Sequence, residues 1–356
     1  VPANAKEGFV ASGYTIMDSA YNDGTYVLMA KNFNDGAHPA KLYSSKNGKD
    51  WVEVLSVAAG RNYGNMNSRQ ELVWWEAEGV YVAQFGGALY VSSDATTWTQ
   101  KSGISNGVIE ALVTVDLGPR IISFGYINGT NFMSSNRAAY APKTDKEYTD
   151  FWGEGRAWEN LGGHRIWLSP ESYPETYLPD DRKVAYTATE NGAIFTPEAD
   201  TQVGVIKTLE VKMDADDAKM QVTMKVTNIS DAPKQFAIWA LSVCDKGGTL
   251  IVPMNTNNTG LLANRSISVW PYTDMSNDRI YWGSKYVTVR QDENAEKPIK
   301  IGFDLNCGTA YYVLGDDILR KNYKTNHPDG VYPDGGCSFE TYTNDVMLEF
   351  ETLGEL

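Results

Sequence analysis

Met220-Gln221-Val222-Thr223-Met224-Lys225-Val226-Thr227 alternates apolar and polar residues without a break. A period of two puts one row of side chains on a dry face and the other in water, as in a half-buried antiparallel strand. The next residues, Asn228-Ile229-Ser230-Asp231-Ala232-Pro233, are turn formers. Beyond them Gln235 to Cys244 is a more continuous apolar run, predicted to be a central strand. Toward the C-terminus, similar short runs predict strands at 249–253, 266–270, 285–290, 298–304, 309–314 and 346–352. Toward the N-terminus, Ala111-Leu112-Val113-Thr114-Val115 and Arg120-Ile121-Ile122-Ser123-Phe124 read as strands joined by a Gly118-Pro119 turn. No long amphipathic helix interrupts the pattern. The fold class is therefore all-β, with a large antiparallel sandwich over 106–356.

Residues 131–181 break this rhythm. They are irregular, polar and aromatic, and include Trp152, Trp158, Trp167, Tyr173 and Tyr177. A stretch this long either carries function, as a lid or binding loop, or is a crossover packed by its own aromatics.

A different pattern occupies the first part of the chain. Ser45-Lys46-Asn47-Gly48-Lys49-Asp50-Trp51 is echoed by Ser92-Ser93-Asp94-Ala95-Thr96-Thr97-Trp98. The spacing of the two tryptophans suits one propeller blade per repeat. Asn47 and Asp94 can accept bonds from the backbone two residues on, and Gly48 gives a permissive tip, although Ala95 stands where a second Gly is expected. These hairpins resemble the Asp-boxes of sialidase-like β-propellers, which implies a structural role. Two copies fall short of the roughly four to eight blades of a closed propeller. The chain therefore reads as a small β domain over 1–105 with two propeller-blade-like units, Gly24-Thr25-Tyr26-Val27 and Gly79-Val80-Tyr81-Val82 forming inner strands. Units of this size are expected to lean on the second domain or on another subunit, which makes the N-terminal domain the place for homo-oligomer contact. Residues 101–107 gather turn formers and read as the linker.

Composition narrows the partners. A formal net charge of −14 repels phosphate backbones and excludes a nucleic-acid partner. No apolar run approaches the roughly 18 residues of a membrane helix, so no membrane insertion is expected. The start at Val1-Pro2-Ala3-Asn4-Ala5 lacks a leader, and with the acidity and the hairpin motifs it sets the expectation of a secreted protein, extracellular or periplasmic. Cys244, Cys307 and Cys337 fit no zinc spacing. They read as buried free thiols, with a Cys307–Cys337 bridge also allowed. No phosphate loop, nucleophile elbow or zinc-protease motif is present, and Asp214, Asp216 and Asp217 miss the calcium-loop pattern. No cofactor and no metal is expected.

The larger domain carries a resemblance. Thr114-Val115-Asp116-Leu117-Gly118-Pro119-Arg120, Gly162-Gly163-His164-Arg165-Ile166-Trp167-Leu168-Ser169-Pro170-Glu171, Val226-Thr227-Asn228-Ile229-Ser230-Asp231, Tyr332-Pro333-Asp334-Gly335-Gly336-Cys337 and Leu348-Glu349-Phe350-Glu351 occur in this order. Together they resemble the galactose-mutarotase-like superfamily, in a bacterial branch, over roughly 108–356. The resemblance implies a β-supersandwich with a carbohydrate cleft on its concave face. It also implies a His general acid and a Glu general base. Where that His would lie, this chain reads Phe236-Ala237-Ile238-Trp239-Ala240-Leu241-Ser242, with Trp239 in its place. An indole cannot relay a proton at neutral pH but can stack on a sugar.

The leading expectation is thus a carbohydrate-binding protein whose cleft is lined by His164, Arg165, Trp167, Glu171, Trp239 and Glu340. An alternative is a sugar epimerase or lyase-like enzyme with His164 and Glu340 as the acid/base pair. A second alternative is a structural or assembly protein. Arg165 could grip sugar hydroxyls or a uronate, or pair internally with Glu171. Glu349 and Glu351 alternate with Leu348 and Phe350 and are expected to face water. His327, before a Pro-Asp-Gly turn, reads as a surface residue, and His38 as structural or exposed.

Overall fold

The computed structural model describes residues 9, 13–32, 40–57, 71–76, 79–85, 88–101, 103–115, 117–127, 129–134 and 141–356. His38 lies outside them. The chain forms two compact units: Val1–Gly103 with Gly125–Thr130, and Ile104–Phe124 with Asn131–Leu356. The short segment at 125–130 thus belongs to the first unit, a return the sequence reading did not contain.

The first unit holds β1 (Tyr14–Asn22), β2 (Thr25–Asn32), β3 (Ala40–Ser45), β4 (Val52–Val57), β5 (Glu71–Trp75), β6 (Val80–Phe85), β7 (Ala88–Ser92) and β8 (Thr99–Lys101). They make two four-stranded antiparallel meanders, β1 to β4 and β5 to β8. The repeated heptapeptides are the last hairpin turn of each meander. Asn47 Oδ1 accepts from the amides of Lys49 at 2.9 Å and Asp50 at 2.8 Å. Asp94 Oδ1 does the same for Thr96 and Thr97, both at 2.7 Å. Ala95 adopts the left-handed φ of 63° that Gly48 adopts at 70°, a conformation that disfavours a Cβ. The meanders bury one shared core, in which Val27, Met29 and Leu42 meet Leu72, Tyr81 and Tyr90. Each meander is thus covered by the other.

The second unit contains β9 (Ile104–Ser105), β10 (Ile109–Val113), β11 (Ile121–Tyr126), helix α1 (Lys146–Trp152), β12 (Gly163–Ser169), β13 (Val184–Thr189), β14 (Gly192–Pro197), β15 (Val205–Met213), β16 (Met220–Asn228) and β17 (Ala237–Cys244). It continues with β18 (Thr249–Pro253), β19 (Ile267–Val269), β20 (Ile280–Trp282), β21 (Tyr286–Arg290), β22 (Ile299–Phe303), β23 (Thr309–Leu314), β24 (Asp317–Asn322), β25 (Phe339–Thr343) and β26 (Leu348–Leu353). A nine-stranded antiparallel sheet runs β19-β22-β25-β26-β17-β12-β11-β10-β9, with β17 at its centre. A four-stranded sheet (β13 to β16) and a five-stranded sheet (β20-β21-β18-β23-β24) accompany it.

Both smaller sheets cover the same face of the large one. Leu250, Val252, Val289 and Tyr312 pack on Ile301, Phe339 and Phe350. Phe195, Leu209 and Val211 pack on Ile109, Ala111 and Ile121. The all-β antiparallel sandwich follows from this apolar wall. The opposite face of the large sheet is covered at one end by the 131–181 segment, through Tyr148, Trp152, Trp158 and Tyr177. Part of that segment is ordered as α1 and β12. Asp145 caps α1 through the Tyr148 amide, and Gly153, at φ 96°, ends it. The three cysteines are free, with Cys307 exposed rather than buried. No helix among the described residues is long and apolar enough to cross a membrane.

Candidate functional site

Register across β12, β17, β26, β25 and β22 decides which side chains share a face. Arg165 lies opposite Leu241, Leu241 opposite Glu351, Glu351 opposite Glu340, and Glu340 opposite Gly302. One row away, Val243, Glu349, Tyr342 and Lys300 are aligned, and on the other side Trp167, Trp239 and Leu353. Residues two apart on a strand point the same way. These rows therefore form one surface, the one turned away from the two smaller sheets.

At its centre is a buried charged group. Lys300 Nζ stands 2.9 Å from Glu340 Oε2 and 3.3 Å from Glu351 Oε2. Its ammonium lies 4.3 Å from the Trp239 ring centre and 4.9 Å from that of Trp270. Trp239 Nε1 donates to Glu351 Oε2 at 2.8 Å. Glu340 and Glu351 are 0% exposed. Burial raises the affinity of both carboxyls for a proton, Lys300 acts against that rise, and Glu351 adds to it in Glu340 as Glu171 does in Glu351. Burial alone would depress the Lys300 pKa, but the charges of Glu351, Glu340 and Glu349 outweigh it and hold the ammonium charged. Among the described residues, Glu340 Oε1 and Glu351 Oε1 have no hydrogen-bond partner.

Two walls rise beside this floor. On one side Tyr177 packs edge-on against Trp158 and Trp167, both at 5.1 Å, and its hydroxyl donates to Glu171 at 2.5 Å. Tyr148 and Trp152 hold the wall by donating to the carbonyls of Tyr177 and Pro174, at 3.2 and 2.8 Å. On the other side Thr273 Oγ1 bonds the Lys300 amide and carbonyl, both at 2.8 Å, and brings Trp270 and Tyr272 beside the cluster. Trp158, Tyr177, Trp270 and Tyr342 are half-buried and Tyr272 is exposed. The hydroxyls of Tyr177 and Tyr272 are both raised in pKa by burial, with Glu171 adding next in Tyr177 and Tyr342 and Glu351 adding in Tyr272, against the pull of Lys300 in each. Both therefore look onto the same charged floor.

The sequence-derived residues divide. Arg165, Trp167, Trp239 and Glu340 share this surface, with Glu171 at its rim. His164 does not. It pairs with Ser242, which lies opposite Phe350, so it points into the core on the other face. There its Nδ1 meets Ser242 Oγ at 2.8 Å, and burial holds its pKa well below the usual range. A His164–Glu340 acid/base pair is excluded by a sheet between them. Trp239, only 4% exposed, is part of the floor, and Trp167 is buried behind Tyr177. Neither offers a free face for stacking.

Arg165 pairs with neither Glu171 nor an Asp. It donates to Asn160 Oδ1 at 3.3 Å, lies 4.7 Å from the Trp167 ring centre and faces Glu349 at 3.7 Å. Glu351 is fully buried and Glu349 is half-buried, so neither is the water-facing residue expected. His327 is half-buried and its Nδ1 lies 2.9 Å from the Asp304 carboxylate. Beyond Arg165, buried Arg120 and Lys207 share Asp180, at 2.9 and 2.5 Å. No group of three or more His, Cys, Asp or Glu is placed to hold a metal ion among the described residues.

Lys300, Glu349, Glu351, Trp270 and Tyr272 escaped the sequence reading. Lys300 in Ile299-Lys300-Ile301 and the two glutamates in Leu348-Glu349-Phe350-Glu351 look like an ordinary wet face. The available signal was that three strands of one sheet carried charge at matching positions.

No family model matches the chain, and no curated protein matches it. Among solved structures, a Bombyx mori GH32 beta-fructofuranosidase in complex with sucrose is similar at a TM-score of 0.20 and 10% identity, over 98% of this chain and 80% of that one. A GH43 protein from Bacillus licheniformis is similar at a TM-score of 0.18 and 8% identity, over 97% of this chain and 86% of that one. Likeness at this level carries no information about a ligand.

Proposed function

We propose that this protein is a carbohydrate-binding protein of galactose-mutarotase-like type, which takes a sugar or oligosaccharide on the partly covered face of its large sheet, the one turned away from the two smaller sheets. The observation that carries this reading is the set of half-buried or exposed rings, Trp158, Tyr177, Trp270, Tyr272 and Tyr342, ranged with Glu171 and Glu349 above a fixed charged floor. A pyranose offers apolar ring faces and a fringe of hydroxyls. Aromatic faces supply stacking area, and a few fixed polar groups set orientation. Burying Lys300, Glu340 and Glu351 is a poor way to gain stability, since an apolar trio of similar volume would do as well. The cluster instead holds the wall strands and carboxylates at set positions, which favours recognition. Removal of the His164–Glu340 pair leaves binding rather than turnover as the reading.

The test is a panel of neutral, amino and acidic oligosaccharides titrated into the full chain by calorimetry. Binding that Tyr272→Ala weakens at least tenfold, and that Tyr186→Ala on exposed β13 leaves unchanged, supports the site. A ligand whose affinity ignores Tyr272→Ala overturns it.

A further inference from the structure

We infer that this chain pairs with a second copy of itself through β16, an edge strand of the four-stranded sheet, so that one sheet runs on from copy to copy. The inference goes beyond the saccharide reading and does not rest on it.

The direction of each backbone group of β16 follows from the bonds at its two ends. The Asp214 amide donates to Lys219 O, and the Ile229 amide donates to Gly204 O. Between them the register of β15 and β16 runs unbroken from Val205 opposite Asn228 to Met213 opposite Met220. Opposed residues of an antiparallel pair alternate between bonded and non-bonded. The odd-numbered residues of β16 therefore bond β15. Met220, Val222, Met224, Val226 and Asn228 turn their backbone groups outward, where no hydrogen-bond partner is present among the described residues. Such a row is a template for another strand, and edges are ordinarily blunted by Pro, a bulge or several charges. β16 has no Pro and no bulge, and its one charge is Lys225.

The side chains decide the occupant. Met220, Val222 and Met224 pack on the core that holds Ala111 and Leu209, and Val226 on the one that holds Leu241. All four are only half-buried. A strand laid alongside covers this row if its own inner residues are apolar, and β16 is itself such a strand. With Met224 set antiparallel to Met224 of the second copy, Val222 meets Val226 on the inner face and the dry row continues across the junction. On the wet face Gln221 meets Thr227 and Thr223 meets Lys225. All nine residues pair, and no like charges are opposed. A slip one way sets Lys225 against its own copy, and a slip the other way drops Thr227 and Asn228 from the ladder. The pairing is isologous, closes on itself and forms about ten interstrand hydrogen bonds.

β13, the other edge of the same sheet, does not compete. Its Val184 amide already donates to Val115 O at 2.8 Å, and Ala185 to Thr189 are all exposed, with no apolar row to cover.

The experiment is analytical ultracentrifugation of the full chain from low to high micromolar concentration, with amide hydrogen exchange read at both ends of the range. Expected is a monomer–dimer equilibrium. The Val222, Met224 and Val226 amides should exchange fast in the monomer and become protected in the dimer, while those of Thr223 and Lys225 stay protected in both. Thr223→Lys opposes like charges twice across the junction and should weaken the dimer about fivefold. Its ammonium also faces Glu210 of its own chain, which keeps the variant folded. Thr223→Glu, set against Lys225 of the second copy, should tighten the dimer by a similar factor. Thr187→Lys on β13 should change nothing. A monomer at every concentration overturns the inference. So does a dimer that is indifferent to both Thr223 variants, responds to them with the opposite sign, or is broken by Thr187→Lys.

Discussion

His164 and Glu340 lie on opposite faces of one sheet. His164 pairs with Ser242 and backs onto Phe350, whereas Glu340 pairs with Glu351, one residue further along the same strand. One residue of register turns a side chain through the sheet. His164→Ala should therefore lower stability by about 1–3 kcal/mol, by emptying a core position and leaving Ser242 Oγ with Lys321 as its remaining partner. It should leave saccharide affinity within about threefold of wild type, on the usual scale of indirect effects. Denaturant titration and calorimetry on the same sample check this, and a large loss of affinity in a folded variant would restore His164 to the site.

Lys300 is the only cation bonded to Glu340 and Glu351 among the described residues. Lys300→Met leaves two buried carboxylates facing each other, at a cost of about 3–5 kcal/mol near neutral pH. The carboxyls already have raised folded pKa values, so the native state holds protons that the unfolded chain releases. The variant should recover stability as pH falls toward the unfolded carboxylate range near about 4.3. Denaturation midpoints at pH 5 and pH 8 measure the difference. A deficit that is the same at both pH values contradicts the assignment.

Lys321 reverses the sign. Its ammonium is buried on the other face, donating to Ala240 O, Ser242 Oγ and Phe350 O at 3.0, 3.1 and 3.0 Å, and burial depresses its pKa to about 7. Between that value and the unfolded value of about 10.4, the native state binds fewer protons than the unfolded chain, so this group makes stability rise with pH. Below about 7 both states are protonated and the full penalty of the buried charge applies. Subtracting the Lys321→Met curve from wild type over pH 7 to 10 should leave a rise on the order of a few kcal/mol. A flat difference would show that the ammonium is not buried as described.

In the first unit, the Thr97 and Thr96 amides hold the Asp94 carboxyl well below the usual carboxylate range. A depressed carboxylate contributes stability above its unfolded pKa of about 3.9 and loses it as pH falls. Asn47 makes the same bonds in the other hairpin without titrating. Asp94→Asn should therefore flatten the acid limb of the thermal midpoint between pH 2 and 5. Parallel curves for variant and wild type would contradict this.

The strands were legible where one face is wet. Met220–Val226 has half-buried apolar and exposed polar residues, as its alternation requires, and 249–253 and 309–314 match β18 and β23 end to end. β13 was missed because Val184–Thr189 buries only its first residue and has no apolar row to betray it. The site was harder to read for the converse reason. Leu348-Glu349-Phe350-Glu351 announces two faces but not that both are covered, since the segment that covers the second lies far away in the chain. The wrong pairing of His164 with Glu340 arose because relative facing depends on register through the intervening strands β17 and β26. Trp239 shares a face with Arg165 and Glu340, but only its depth, set by Lys300 and Trp270, shows it to be floor rather than platform.

The most direct measurement is the indole N–H spectrum of uniformly 15N-labelled protein during addition of the tightest oligosaccharide, with each signal assigned by single Trp→Phe substitution. The Trp158 and Trp270 signals should shift in proportion to occupancy, with Trp51 and Trp98 of the first unit unmoved. Shifts confined to Trp51 and Trp98, or saturable binding that moves neither Trp158 nor Trp270, would place the ligand elsewhere and end the claim for this face.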